Sequence, residues 1–310
     1  MSVSTIYKPE GMLINSPQNL KALSSLSAME DARVNKKVLE ARAVVCDSDH
    51  NLLVDLGNIK GLMPRDECAV GIQDGTTRDI AIISKVNKPV CFRVIDFMRD
   101  SSGRLMPVLS RRVVQEDCMR EYLSTLTLGD VIDCKVTHLE QFGAFVDIGS
   151  GIASLIPIDM ISVSRISHPS DRFRVGDYIK AVVNKIEPNG RIGLTHKELL
   201  GTWEENAALF TAGQTVAGIV RSIEDYGVFV ELTPNLAGLA EPHEGVYEGQ
   251  QASVYIKSLI PEKMKVKLII VDSFDESYER LKPQYFTDQD HIDVFKYSPE
   301  CSSKVIETIF

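Results

Sequence analysis

The segment Phe142-Gly143-Ala144-Phe145-Val146-Asp147-Ile148 returns 84 positions later as Tyr226-Gly227-Val228-Phe229-Val230-Glu231-Leu232. Both run aromatic, glycine, small residue, aromatic, and then an apolar stretch closing on a carboxylate. A recurrence at this spacing marks a repeated structural unit, so the chain is built from copies of one small domain. What repeats is a pair of closely spaced rings on a strand. Such a pair suits stacking against the flat faces of nucleic-acid bases.

The repeat extends in both directions. A glycine-led strand precedes each ring pair, Gly129 to Val136 in one copy and Gly213 to Val220 in the other. Leu155-Ile156-Pro157 and Leu239-Ala240-Glu241 follow at matching distances, then strands opening at Gly176 and Gly249, then short basic strands from Gly190 and from Lys265. Alternating apolar and polar residues between Gly and Pro-Asn-Gly turns read as half-buried strands. Five strands in about 70 residues is the rhythm of a small closed barrel, the OB-fold being the commonest kind. In strict alternation residues three apart face opposite sides. Phe142 and Phe145 can therefore both point outward only if Gly143 supports a bulge; otherwise at least one is an ordinary core residue.

A third, worn copy comes first. Glu40 to Val45 and Asn51 to Gly57 read as its opening strands, Gly61-Leu62-Met63-Pro64 sits where Ser154-Leu155-Ile156-Pro157 sits in the middle copy, and Pro89 to Ile95 and Arg104 to Ser110 complete it. His50 and Leu53 occupy its ring positions, so this copy is expected to keep the barrel without the stacking platform. The expected fold is all-β, three tandem five-stranded OB-type barrels joined by short helices. The expected division is an N-terminal helical segment 1–35, barrels 36–112, 127–196 and 212–272, helical linkers 113–126 and 197–211, and a C-terminal extension 273–310. Ser16-Pro17 is a good cap and first turn for a helix running through Leu20, Leu23 and Leu26 towards Met29. Trp203 is expected to anchor packing between barrels. The tail carries aromatics (Tyr278, Tyr285, Phe286, Phe295, Tyr297, Phe310) and should pack on the third barrel.

Composition bounds the chemistry. Hydrophobic residues make up 44% of the 310, and the six cysteines are scattered without Cys-x-x-Cys spacing. Neither a zinc site nor a disulfide scaffold is expected, and reduced thiols are the plain reading. His50, His138, His196, His243 and His291 have no metal-ligand spacing and read as ordinary surface or core residues. No apolar run approaches the 18 or so residues of a membrane span, and no leader pattern opens the chain, so a cytoplasmic protein without membrane contact is expected. The net charge of −9 sits awkwardly with a nucleic-acid binder. Split by segment, however, residues 33–126 carry 15 Lys+Arg against 13 Asp+Glu, residues 127–200 carry 8 against 9, residues 201–272 carry 5 against 10, and residues 273–310 carry 4 against 8. The acidity lies at the C-terminal end, so the whole-chain charge does not exclude RNA, though it argues against non-specific duplex binding by the third barrel.

The middle copy resembles the S1 RNA-binding domain of ribosomal protein S1. Phe142 to Val146, Val175-Gly176-Asp177 and Arg191-Ile192-Gly193-Leu194-Thr195 carry the likeness. The layout over about residues 36–272 is similar to the short S1-like proteins of Gram-positive bacteria. A histidine usual in that family is replaced here by Pro64, Pro157 and Glu241, so its contact is not expected in this chain. The loop from Ser162 to Arg174, with three arginines and His168, is expected to compensate.

The resemblance implies a binder of unpaired RNA. Phe142 and Phe145 would stack on bases, with Tyr226 and Phe229 as a weaker second pair. Arg165, Arg172 and Arg191 would contact phosphates or stack, the planar guanidinium suiting both tasks. His168, Lys135 and Lys197 would rim the groove. The expected partners are single-stranded mRNA and proteins of the small ribosomal subunit, bound by a monomer without a cofactor or a catalytic metal. A different class of function is a scaffold whose barrels mainly grip proteins of the ribosome or RNA-decay machinery, which the acidic third barrel and tail favour. No phosphate-binding glycine loop, carboxylate cluster or nucleophile–base arrangement points to an enzyme.

Overall fold

A computed structural model describes residues 6–100, 102–275 and 283–310. Tyr278 lies outside the described residues. Three closed five-stranded barrels dominate. Strands β1 (Leu39–Cys46), β2 (Leu52–Asp55), β3 (Lys60–Met63), β4 (Pro89–Arg99) and β5 (Leu105–Ser110) form the first, in the order β1-β2-β3-β5-β4. The central barrel is β6 (Val131–Glu140), β7 (Gly143–Asp147), β8 (Ala153–Pro157), β9 (Tyr178–Ile186) and β10 (Ile192–Thr195), ordered β10-β8-β7-β6-β9. The third is β11 (Thr215–Glu224), β12 (Gly227–Thr233), β13 (Leu236–Ala240), β14 (Gln251–Ile260) and β15 (Lys265–Phe274), ordered β11-β12-β13-β15-β14.

By contacts the chain divides into two compact units. One holds the described residues up to Leu126 with Asp133–Lys135 and Asp147–Ala153. In it α1 (Pro17–Ala22) and α2 (Leu26–Val34) pack Ala22, Met29 and Ala32 against barrel residues such as Leu39, Leu52, Met63 and Phe92. The single helix expected here is two. Ser16 caps the first by accepting from Asn19 N–H, and Ser25 caps a second by accepting from Ala28 N–H. A second serine able to satisfy fresh N–H groups restarts the helix instead of extending it. A short helix, α3 (Ile80–Ile83), precedes β4. The linker after the first barrel is α4 (Arg112–Glu121), followed by a 3₁₀ turn at Leu123–Thr125.

Glu40 on β1 is fully buried. Its Oε2 accepts from Gly11 N–H (3.0 Å) and Leu13 N–H (2.9 Å), while Oε1 has no partner. Burial, with the carboxylates of Glu10 and Asp147 nearby, raises its pKa to about 7. A carboxyl raised in the folded state favours folding below its ordinary value of 4.5, and that contribution disappears as pH climbs through 7. Glu40→Gln should therefore be more stable than the parent at pH 8, by up to about 3 kcal/mol, and equal to it near pH 5. Urea titrations at the two pH values measure this.

The second unit holds Thr127–Ile132, Val136–Val146 and the described residues from Ser154 onward. The connector between the central and third barrels is also broken in two. A 3₁₀ turn at Lys197–Leu200 ends at Gly201 with φ 85°, and Thr202 then caps α5 (Trp203–Ala207) in a reciprocal pairing with Glu205. A Cβ on Gly201 would meet the Phe286 ring at 2.7 Å, so glycine is required there for space as well as for φ. Trp203 joins the core of the third barrel, beside Val220, Val254 and Leu268, rather than standing between barrels. The tail packs on both barrels of this unit, not on the third alone. Lys180 N–H donates to Tyr285 Oη (2.9 Å), Ile292 N–H to Gly129 O (2.9 Å), and Tyr297 Oη to Asn235 O (2.6 Å). Strands β16 (Val294–Lys296) and β17 (Glu307–Ile309) form a small separate sheet.

The two repeat glycines share one role. A Cβ on Gly143 would lie 2.4 Å from Ile156 O, and one on Gly227 would lie 2.4 Å from Ala240 O. Each glycine lets the neighbouring strand pass directly beside the ring pair. Gly143→Ala and Gly227→Ala should each lower stability by about 1–3 kcal/mol through overpacking against backbone that has no room to yield, read as a shift of the denaturation midpoint.

Candidate nucleic-acid interface

The ring pair of the central barrel sits at the hairpin between β6 and β7. Phe142 belongs to the turn, Gln141-Phe142, and not to β7. A turn residue is not bound by strand alternation, so both rings can reach one side without the bulge that the spacing suggested. Ile158 N–H fixes the turn by donating to Phe142 O (2.9 Å). Phe142 is 56% exposed and Phe145 half-buried, their centroids 5.9 Å apart and the planes at 88°. His138 extends the cluster, its ring 6.3 Å from Phe145 and tilted by 31°. The sequence reading missed it as a ring neighbour of Phe145, having weighed it only as a metal ligand. The available signal was its position on the strand leading into the hairpin.

The third barrel repeats the arrangement. Tyr226 is 66% exposed, Phe229 is half-buried, and their centroids lie 6.2 Å apart at 90°. Phe229 pairs with Ser222 on one side and Leu239 on the other, and Leu239 pairs with Lys267. Paired residues of adjacent strands share a face, so a lysine stands two strands from the ring. All four lysines of this barrel, Lys257, Lys263, Lys265 and Lys267, are exposed and lie on the β14–β15 hairpin or its turn. The segment total of 5 against 10 hid this grouping. In the first barrel the corresponding face is aliphatic: Val45 pairs with Leu53, Leu53 with Leu62, and Leu62 with Val108.

The expected cations divide sharply. Arg165 and Arg191 are exposed, the first on the loop after β8 and the second in the turn before β10. Arg172 is a correction. Its side chain is only 8% exposed, and Nη2 donates to the buried Glu231 Oε2 at 2.5 Å while Nε donates to Ser162 Oγ at 3.3 Å. A guanidinium committed to a buried carboxylate is not available to a phosphate. Lys135 is half-buried and Nζ donates to Glu10 O at 2.6 Å, which ties it to the backbone of the N-terminal segment. His168 is half-buried and caps a 3₁₀ turn at Pro169–Asp171, Nδ1 accepting from Ser170 N–H. Lys197 is half-buried, Nζ lying 3.5 Å from Asp159 O. His196 is fully buried between Phe173 and Tyr285, with Nδ1 3.0 Å from Ile161 O, and burial lowers its pKa to about 4. It is therefore neutral and structural.

Among the described residues no group of three or more His, Cys, Asp or Glu could hold a metal ion. No described helix is long and apolar enough to cross a membrane.

Residues 125–197, which span the central barrel, match the family described as the S1 RNA binding domain. The central barrel is an S1 domain. The longer chain is similar to the small ribosomal subunit protein bS1 of Leuconostoc lactis, 29% identical over 278 residues, covering 84% of this chain and 61% of that protein. It is also similar to the bS1 homolog of Bacillus subtilis, 30% identical over 234 residues, covering 70% of this chain and 58% of the relative. The chain thus spans about six tenths of the length of these two curated relatives. A Streptococcus pneumoniae multidomain protein with nucleic acid binding domains aligns over 79% of this chain and 76% of its own, at 16% identity and a TM-score of 0.25. Within the matched residues the ring pair lies at the β6–β7 hairpin, where the repeated motif falls.

Proposed function

We propose that this chain is a non-enzymatic, single-stranded RNA-binding protein of the ribosomal S1 type, which holds mRNA for translation on the small ribosomal subunit as a cytoplasmic monomer. One observation carries the reading: two phenyl rings stand side by side at the surface of an S1 domain, and a second pair recurs at the same place in the next barrel. An exposed phenylalanine forgoes about 1.5–3 kcal/mol of burial, and its repetition favours a ligand over chance. Rings accept any base, so sequence preference should be weak. Arg165 and Arg191 are exposed and would add phosphate contacts, and the 2′-hydroxyl is the group that distinguishes RNA from DNA. Fluorescence anisotropy with matched single-stranded RNA, single-stranded DNA and duplex RNA tests this. Tightest binding to single-stranded RNA is expected, and preference for the duplex would exclude the reading.

A second reading concerns the first barrel alone. Its row Val45–Leu53–Leu62–Val108 has neither ring nor cation, which suits docking on protein. Under this reading the first barrel attaches to a ribosomal protein while the other two hold RNA. Co-sedimentation with small subunits at low and high salt separates the cases. Apolar docking should resist salt, whereas attachment through RNA alone should weaken steeply.

A further inference from the structure

Glu231 closes the second copy of the repeated motif, two residues beyond Phe229 and therefore on the same face of β12. It is 5% exposed and gripped from both barrels of its unit. Arg172, on the loop after β8, reaches it at 2.5 Å, and Arg221 of β11 at 2.8 Å. Arg221 also lies 3.4 Å from Asp171 on that loop. Beside this network Ser164 N–H donates to Pro234 O (3.0 Å), and Val163 N–H donates to Asn235 Oδ1 (3.0 Å). Asn235 Nδ2 donates to Lys197 O and Gly201 O, both at 2.8 Å. The β12–β13 turn is thus seated in the long loop of the S1 domain and in the connector. A buried ion network is weak evidence for stability, and setting register is its best-attested use.

We propose that the Arg172–Glu231–Arg221–Asp171 network is a positioning device that makes the S1 domain and the third barrel one RNA-binding body, so that both ring pairs engage a single strand. The inference rests on the stacking function proposed above. The network grips the very strand that carries Phe229, so its loss frees the second platform from the first. Two linked platforms bind a strand long enough for both at a raised effective concentration, which typically multiplies affinity by roughly 100-fold or more. A strand that fits one platform gains nothing.

The test uses the full chain with uridine oligonucleotides of about 6 and about 24 nucleotides, bracketing one and two barrel footprints. The parent should bind the longer RNA roughly 100-fold more tightly than the shorter. Glu231→Ala should reduce that ratio to a few-fold while leaving the 6-mer affinity unchanged. In the Glu231→Ala background, Tyr226→Ala/Phe229→Ala should then cost far less affinity for the 24-mer than in the parent. If Glu231→Ala does not fold by circular dichroism, Arg172→Met carries the same test, because Glu231 then keeps Arg221. A length gain that survives both variants overturns the proposal. The stacking function fails separately, and takes the proposal with it, if the parent does not bind the 6-mer or if Phe142→Ala/Phe145→Ala leaves 6-mer binding intact.

Discussion

Phe142→Ala combined with Phe145→Ala is expected to weaken binding of single-stranded RNA by about 30-fold or more. Each ring on such a platform contributes about 1–3 kcal/mol by alanine substitution. The two centroids are 5.9 Å apart, close enough for the effects to couple rather than add fully, so the lower end of the sum is the safer figure. About 2 kcal/mol corresponds to a 30-fold change. Phe142 is 56% exposed, so Phe142→Ala alone should leave the melting temperature nearly unchanged, and reduced binding by that single variant would not reflect unfolding. The salt dependence separates stacking from charge. The ring variant should lose affinity equally at all salt concentrations and keep the parental slope of log K against log salt. Arg165→Ala with Arg191→Ala should instead flatten the slope, by about 0.7 for each phosphate that is no longer neutralised. Unchanged affinity in the ring variant would leave these two side chains without the role assigned to them.

The barrels were legible because strand patterning is local. Alternation and glycine turns recur within each copy, and even the ringless first copy keeps Val54-Asp55 where the others have Val146-Asp147 and Val230-Glu231. The ring positions were legible for the same reason, although the means of exposing Phe142 was not. A turn placement and a bulge predict the same outward ring, and only backbone geometry tells them apart. The cations were harder. Arg165 and Arg172 sit seven residues apart in one polar loop, yet one is exposed and the other is paired with a carboxylate 59 positions away. Lys135 is tied to Glu10 across 125 positions. Long-range partners of this kind leave no trace in composition. The broken connector could have been read, since Gly201-Thr202-x-x-Glu205 is a helix stop followed by a capping box.

Glu10 shows how far a single unread position can matter, because Glu10→Ala or Arg111→Ala should each cost about 3–5 kcal/mol of stability. The Glu10 carboxylate accepts from Arg111 Nε (2.6 Å), Lys85 Nζ (2.7 Å) and Cys91 N–H (3.2 Å), and its own N–H donates to Asp147 Oδ2 (2.7 Å). The side chains of Glu10 and Arg111 are 6% and 3% exposed. Removing either leaves a charge or several donors buried without their main partner. Lys85, at 23%, can still turn to water, so the arginine is the greater liability. Arg111→Met with Glu10→Met should therefore cost less than the sum of the single changes, a coupling that urea titration of all four proteins measures. The pH dependence distinguishes this site from Glu40. Burial opposes ionisation of Glu10, but Arg111 and Lys85 outweigh it and hold the carboxyl well below its ordinary value. Its contribution is then present above the ordinary carboxylate value and is lost only as pH falls through the much lower folded one. At pH 5, where the Glu10 carboxyl is still ionised, Glu10→Ala should remain destabilising, whereas the gain from Glu40→Gln fades to nothing there. A Glu10→Ala cost that vanished at pH 5 together with the Glu40→Gln gain would mean that these neighbouring carboxyls do not hold the opposite charge states assigned to them at that pH.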